Sequence, residues 1–475
     1  MNKIITTDIC VIGAGSGGLS VAAGAVQMGA KVVLIEKGKM GGDCLNTGCV
    51  PSKALLAAGH AAENARRASR FGVSTGPVEI DFGRAIDHVH SVIAGIAPHD
   101  SVERFEELGC TVIQAEARFT GPGEVIAGET TIKAKRFVIA TGSRAAVPPI
   151  PGLETVCYFT NETIFENRVR PEHLIIIGGG PIGLEMAQAH HQLGAKVTVI
   201  EMGKILPKDD PDLVAVVRDR IKADGISLYE GAKTKEILDV NDQIRVVIEH
   251  QGIEITLEGT HLLLATGRKP NVENLGLKDA GIEYTDRGIS VDARLRTSNK
   301  KVFAIGDITG GLQFTHMAGY DAGIVIRNAL FRLPAKVDHS AVPWVTYTNP
   351  ELAQVGLTEK AAREQYGDDI RVLTWDYAEN DRARAEAETE GFIKVITKPN
   401  GRILGAAIVG RQAGELIGVW SLAISKKMKI GAIAGMIAPY PTLGELSKRV
   451  AGAWYTPSLF GEKTRKLVRF LLRFA

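Results

Sequence analysis

Ile9-Cys10-Val11-Ile12-Gly13-Ala14-Gly15-Ser16-Gly17-Gly18 is the stretch from which the fold can be read. Four apolar residues form a short buried-strand run, and the glycines after them make GxGxxG through Gly13, Gly15 and Gly18. Leu19-Ser20-Val21-Ala22-Ala23-Gly24-Ala25 continues as a helix, and a second strand over 31–35 ends in Glu36. This is a βαβ unit. Its glycines let the backbone approach a pyrophosphate, its helix N-terminus offers N–H donors, and Glu36 can accept both hydroxyls of an adenosine ribose.

The arrangement recurs. Leu174-Ile175-Ile176-Ile177 leads into Gly178-Gly179-Gly180-Pro181-Ile182-Gly183, and Lys196-Val197-Thr198-Val199-Ile200 ends in Glu201. The distance from Gly13 to Glu36 is 23 positions, and so is that from Gly178 to Glu201. A lone GxGxxG also fits a glycine-rich turn without a ligand. Two in strand–loop–helix–strand context, with the acidic strand end in register, predict two dinucleotides bound by one α/β chain with two Rossmann-like domains.

Cys44 and Cys49 stand in Gly41-Gly42-Asp43-Cys44-Leu45-Asn46-Thr47-Gly48-Cys49-Val50-Pro51-Ser52-Lys53. A CxxxxC pair can close a small ring, but so short a loop removes little chain entropy and makes a poor staple. The spacing therefore reads as a bond that opens and closes during turnover, at the start of a helix whose dipole favours thiolate. Two unrelated thiols or a zinc half-site are the alternatives, and no second CxxC or Cys/His cluster exists to complete a metal shell. The pair begins eight residues after Glu36, so it lies beside the first dinucleotide. A flavin exchanges electrons with a thiolate, whereas nicotinamide passes hydride to flavin. FAD is thus expected on the first unit and the nicotinamide cofactor on the second. Glu201 favours the free 2′-hydroxyl of NAD over the 2′-phosphate of NADP, although Lys204 and Lys208 could blunt that preference.

The remaining composition bounds the problem. With 475 residues, 45% hydrophobic and 23% charged, the chain reads as about three globular domains. Its 56 Lys and Arg against 54 Asp and Glu give no reason to expect nucleic-acid binding. Five cysteines do not make a secreted disulfide scaffold. Cys10, Cys110 and Cys157 read as buried small hydrophobes. The first eight residues lack a signal peptide's apolar core, and no run is long enough to span a bilayer, so a cytoplasmic location is expected.

Three further strand ends carry glycine: Thr141-Gly142 after 137–140, Thr266-Gly267-Arg268 after 262–265, and Gly306-Asp307 after 302–305. Asp307 suits a polar contact to a ribityl chain or pyrophosphate. Residues 124–132 read as a small β-meander. Beyond Pro343, strands at 391–397 and 403–409 with a helix at 414–424 suggest an α+β association domain. Expected boundaries are 1–150 and 271–340 for the two parts of the FAD domain, 151–270 for the NAD domain, 341–455 for dimerisation, and 456–475 for a tail. In that tail Leu467, Phe470, Leu471 and Phe474 follow i, i+3, i+4, i+7 among Lys463, Arg465, Lys466, Arg469 and Arg473. A basic amphipathic end can rest on an anionic membrane surface, but docking on its own protein or on a partner subunit is the reading favoured here.

Taken together, the glycine loops, the stretch 41–53, the Thr-Gly and Gly-Asp strand ends and Asn349-Pro350-Glu351 resemble the class I flavoprotein disulfide reductases, which include dihydrolipoamide dehydrogenase, glutathione reductase and mercuric reductase. The resemblance runs to about Lys448. It implies a homodimer with FAD and NAD(P)H, Cys49 facing the flavin in a charge-transfer complex, and Cys44 as the interchange thiol. It implies a Lys53–Glu185 ion pair near flavin N5, and partner residues completing each site. Lys53, Thr141, Gly142, Asp307 and Gly267 take cofactor-binding positions. The family's His-Pro-Thr and following glutamate are here Tyr440-Pro441-Thr442 and Glu445. A phenol of pKa near 10 is a poor base at neutral pH, so Tyr440 donates a proton or steadies a charge instead. Mercuric reductases share this tyrosine, but they have a C-terminal cysteine pair and prefer NADPH, whereas here the last cysteine is Cys157.

The expected activity is electron transfer from NADH through flavin and the Cys44–Cys49 disulfide to a small-molecule or protein disulfide or a related acceptor. One alternative is reduction of a quinone, metal ion or carrier protein that bypasses the cysteines. The other is a non-catalytic dinucleotide sensor that uses the disulfide as a switch.

Overall fold

The structure is a computed structural model and describes residues 3–241 and 243–474. It divides into two compact units, one built from 1–202 and 229–337, the other from 203–228 and 338–475.

In the first unit the strand Lys3–Ile12 lies between Val32–Glu36 and Thr130–Ile139, parallel to both. Thr111–Gln114 extends this sheet on one side. On the other side Val302–Ala304 pairs in parallel with Thr130–Ile139, and Glu124–Ala127 pairs antiparallel with it. Both faces of these strands are covered, one by helices and the other by the antiparallel strands and the segment 272–289, so they read as unbroken apolar runs. Ile9, Val11, Leu34 and Val138 are buried on one face, beneath the helix Ser16–Gln27. Cys10, Ile35, Phe119 and Phe137 fill the other. The expected meander is present as Ala117–Gly121, Glu124–Ala127 and Thr130–Ile139.

The second glycine loop has its own parallel sheet, with His173–Ile177 between Lys196–Glu201 and His261–Leu264. An antiparallel meander of Ala232–Val240, Gln243–His250 and Ile253–Gly259 accompanies it. The short strands Ser143–Ala145 and Arg268–Pro270 pair antiparallel, joining the continuations of two of the glycine-bearing strand ends.

The second unit is an antiparallel sheet in the order Pro343–Thr346, Glu351–Gly356, Ile403–Gly410, Phe392–Thr397, Arg371–Asp376. Its core gathers Trp420 and Ala423 of the helix Ala413–Ser425 with Val450 and Ala451 of the helix Glu445–Ala453. The segment 203–228, which the sequence places in the second nucleotide unit, groups with this sheet. Lys394 explains the grouping. It is buried on Phe392–Thr397, and its Nζ meets Asp210 Oδ1 at 2.9 Å, Asp212 Oδ2 at 2.5 Å and Glu359 Oε2 at 3.2 Å. A buried ammonium needs such company, so the three carboxylates and the lysine hold 203–228 in place. Asp209 accepts the Trp344 indole N–H at 2.7 Å in the same region.

One further expectation changes. Cys157 is exposed, not buried, because it lies in the irregular segment between the 3₁₀ turn Leu153–Thr155 and Phe159. The expected tail helix is present as Glu462–Leu471, and within the single chain none of its residues is buried. No described helix is long and apolar enough to cross a membrane.

Candidate active site

Both glycine loops have the same internal geometry. Gly13 has φ +102° and Gly178 φ +119°. A Cβ on either would sit 2.4 Å from Ala140 O or 2.3 Å from Ala265 O. One on Gly18 or Gly183 would meet the Gly13 or Gly178 carbonyl at 1.8 or 2.0 Å. Packing of the fold therefore accounts for the first and third glycines. The middle ones need another explanation. Gly15 and Gly180 have ordinary extended backbone, φ −80° and −78°. A Cβ on Gly15 would find its nearest neighbour at 3.9 Å, and one on Gly180 nothing within 4 Å. A side chain is tolerated there by the protein but not by a pyrophosphate lying against the helix N-terminus, so the loops fit dinucleotides.

The two acidic strand ends also match. Glu36 Oε2 accepts the Ala14 amide at 2.6 Å and its Oε1 the Gly38 amide at 2.8 Å. Glu201 Oε2 accepts the Gly179 amide at 2.7 Å. Each carboxylate thereby braces its own loop, a role the spacing alone does not reveal.

The cysteine segment lies across the first loop. Gly41 bridges to Gly15, and a Cβ on Gly42, itself at φ +61°, would come within 2.7 Å of Gly15 Cα. Cys44 falls in the short helix Gly42–Asn46, and Cys49 is the first residue of the helix Cys49–Arg66. Cys49 is exposed and Cys44 half-buried. Cys44 donates its S–H to Cys49, which is the largest influence holding the Cys49 thiol down to about 6. Thr315, the first residue of the helix Thr315–Ala329, adds a hydroxyl 3.3 Å from Cys49 Sγ, and the Lys53 charge acts in the same sense. Burial and the Asp43 carboxylate oppose them. The same hydrogen bond, with burial, drives the Cys44 thiol far up. The pair is thus polarised, with Cys49 the thiolate and Cys44 the thiol.

Lys53 Nζ and Glu185 Oε2 are 2.6 Å apart, joining the cysteine helix to the second glycine helix, Pro181–Gln192. Thr141 and Asn271 clasp one another: Thr141 Oγ1 donates to Asn271 O at 3.2 Å and Asn271 Nδ2 donates to Thr141 O at 2.9 Å. Gly142 (φ +66°) and Gly267 (φ +113°) make the turns out of their strands. Asp307 Oδ2 accepts the Ser143 hydroxyl at 2.5 Å, and desolvation raises its carboxyl pKa.

Arg268 ties these parts together, a role that its place in the Thr266-Gly267-Arg268 strand end does not reveal. Its Nε donates to Ser143 Oγ at 2.7 Å and lies 3.6 Å from Asp307. Its second terminal nitrogen reaches Asp43 Oδ2 at 3.1 Å. Asp43 Oδ1 accepts from Thr47 Oγ1 at 2.8 Å and Asn161 Nδ2 at 3.1 Å. The residue preceding Cys44 is therefore held from three directions. Its position beside a redox cysteine is the one available sequence signal, since Arg268 and Asn161 are more than a hundred residues distant.

In the other unit, exposed Tyr440 donates its hydroxyl to Asp381 Oδ2 at 3.0 Å. This bond, with the Asp381 charge, raises the phenol's pKa. Asn380, which caps the helix Asp381–Ala385, donates to Thr442 O at 3.1 Å and so fixes the two segments together. Glu445 lies 4.0 Å from Arg449 and heads the helix Glu445–Ala453.

Comparison with known proteins agrees with this arrangement. Residues 7–322 match the family described as pyridine nucleotide-disulphide oxidoreductase, and residues 342–451 match its dimerisation domain. A mercuric reductase of Lysinibacillus sphaericus is 36% identical over 447 residues, covering 94% of this chain and 82% of that protein. A dihydrolipoyl dehydrogenase of Bacillus subtilis (strain 168) is 37% identical over 463 residues, covering 94% and 96%. The Cu(II) complex of the HOCl-induced flavoprotein disulfide reductase RclA from Escherichia coli superimposes with a TM-score of 0.84 at 29% identity, covering 94% of this chain and 99% of that one. With both family segments matched and these relatives covered over most of their length, the chain belongs to the class I pyridine nucleotide-disulfide oxidoreductases, FAD-dependent enzymes that use NAD(P)H and associate as homodimers.

Proposed function

We propose that this enzyme takes electrons from NADH and delivers them, through the Cys44–Cys49 pair, to a thiophilic metal cation. The supporting observation is the absence of a competent base in the segment that supplies one elsewhere in the family. Tyr440 takes the family's histidine position, and its hydroxyl is engaged as a donor to Asp381 with its pKa raised. Such a phenol neither removes the Cys44 proton nor protonates a departing thiolate at neutral pH.

FAD, when bound at the first loop, supplies the hydride acceptor that links the nicotinamide to the thiols. Gly13, Gly15, Gly18 and Glu36, with Thr141, Gly142 and Asp307, would hold it. Gly178, Gly180, Gly183, Glu201 and Gly267 would hold NADH, and the Glu201 carboxylate would disfavour a 2′-phosphate. Lys53, paired with Glu185, keeps a cation beside the thiols at the junction of the two helices.

Cys49 is already a thiolate, but Cys44 carries a proton that disulfide exchange requires it to lose. A disulfide acceptor leaves this step without a base. A soft cation performs it by coordination, because a thiol ligand is deprotonated on binding the metal. The two sulfurs then give up two electrons as their bond forms, enough for two one-electron reductions of Cu(II) to Cu(I). The mercuric reductase relatives and the Cu(II) complex of the structural neighbour support this acceptor class. Residues 1–150, 151–270, 271–340 and 341–455 serve in this reading as the split FAD domain, the NAD domain and the dimer contact. Tyr440 and Glu445 of one protomer face the thiols of the other, and the enzyme works in the cytoplasm.

The test is acceptor-dependent NADH consumption with Cu(II), lipoamide, glutathione disulfide and a soluble quinone. Two Cu(I) per NADH, lost in Cys44→Ser, is the expected result. Faster turnover of lipoamide than of copper would overturn the acceptor assignment, and copper reduction that survives Cys44→Ser would transfer the reaction to a thiol-independent route. Tyr440→His should raise lipoamide reduction by roughly a hundredfold at neutral pH, the usual contribution of a placed general base.

A further inference from the structure

The tail helix lies past residue 451, where the match to the dimerisation domain ends, and none of the chemistry above uses it. Leu467, Phe470 and Leu471 lie on one side of the helix, Phe474 follows just past its last turn, and each is between 53% and 77% exposed. Arg465, Lys466 and Arg469 fall on another side at i, i+1 and i+4, and Arg473 follows just past the helix. The tail holds five cations against one carboxylate, Glu462, which pairs with Lys466 at 2.9 Å. Lys463, four residues before Leu467, falls on the apolar side of the helix.

We propose that this helix is a membrane-surface contact, lying flat on anionic lipid with its apolar stripe among the acyl chains and its cations at the headgroups. Charge and shape choose the occupant. A helix of ten residues is about 15 Å long, half of what a bilayer core requires, so it lies on the surface instead of crossing. Separation of a cationic face from a Leu/Phe face is what a negatively charged interface selects. A second copy of the same helix fits poorly, since packing two stripes together would ring a small apolar seam with like charges.

The experiment is flotation of the full FAD-loaded protein with vesicles. Vesicles of equal parts phosphatidylcholine and phosphatidylglycerol should carry it upward, and vesicles of pure phosphatidylcholine should not. Arg465→Gln with Arg469→Gln should weaken partitioning roughly thirtyfold, the loss expected for two surface cations. Phe470→Glu with Leu471→Glu should leave the protein at the bottom. All variants should keep wild-type NADH-driven flavin reduction, because no tail residue belongs to the catalytic machinery. Failure of the wild type to float, equal flotation on both vesicle types, or flotation of Phe470→Glu/Leu471→Glu would each overturn the proposal. Conversion of that variant to monomers, with no flotation of the wild type, would assign the stripe to the dimer instead.

Discussion

The two glycine loops are near copies in backbone, yet only the first is coupled to sulfur chemistry. Gly13 and Gly178 share a positive φ and a carbonyl neighbour, Gly18 and Gly183 press on equivalent carbonyls, and Glu36 and Glu201 each brace the second residue of their loop. What differs is the adjoining structure. Over the first loop runs the segment Gly41–Gly42, whose backbone touches Gly15 and carries Cys44 onward. Beside Gly180 a side chain would meet nothing within 4 Å. A shared frame can thus bind two dinucleotides, while one inserted segment decides which of them is joined to a redox pair.

Cys49→Ser attacks that difference most directly. It should cut acceptor reduction by about a thousandfold or more while leaving flavin bound and reducible by NADH, because the flavin-facing thiolate that completes the disulfide is removed and the loop is not. Stopped-flow absorbance would show reduction without the long-wavelength thiolate signal.

The loops can next be compared with one substitution each. Gly15→Ala should yield protein that purifies without flavin. Gly180→Ala should retain flavin and raise the KM for NADH by roughly tenfold to a hundredfold, since the added methyl occupies pyrophosphate space. Both should unfold within about 0.5 kcal/mol of wild type, because a Cβ at Gly15 makes only ordinary contact at 3.9 Å and one at Gly180 meets nothing within 4 Å. Gly13→Ala and Gly178→Ala should destabilise the fold instead, which chemical denaturation would register.

Glu201→Ala should narrow the preference for NADH over NADPH by about tenfold, measured as the ratio of kcat/KM values, by removing the charge that opposes a 2′-phosphate.

The smallest expected effects are shifts in thiol titration. Cys49 lies at about 6, below its ordinary value, so the reactive thiolate is present above that pH and is lost as the solution is acidified through it. Thr315→Val removes a hydrogen bond to sulfur and should move the midpoint up. Asp43→Asn removes a nearby negative charge and should move it down, provided the three contacts to the side chain survive. The pH dependence of alkylation by iodoacetamide would read both, as midpoints displaced in opposite directions.

Much of this was legible in order and spacing. Strand, glycines, helix and acidic strand end are local, so both βαβ units and the position of Cys49 at a helix start follow from a few dozen residues each. The association sheet beyond Pro343 was legible for the same reason. Asp43 stood in plain view next to Cys44, but its partners Arg268 and Asn161 are brought to it only by folding. The anchoring of 203–228 was hidden likewise, because Lys394 reads in sequence as an ordinary strand residue until three carboxylates surround it.

The sequence by itself determined the family, the two nucleotide frames and the identity of the redox pair, since those depend on residue types at short fixed separations. Only the tertiary structure supplied the contacts that hold the Cys49 thiol down, and it alone decided where the Tyr440 hydroxyl points. It also showed that the tail helix exposes its apolar stripe. Such properties arise from fields and contacts between groups far apart along the chain, and periodicity carries no record of them.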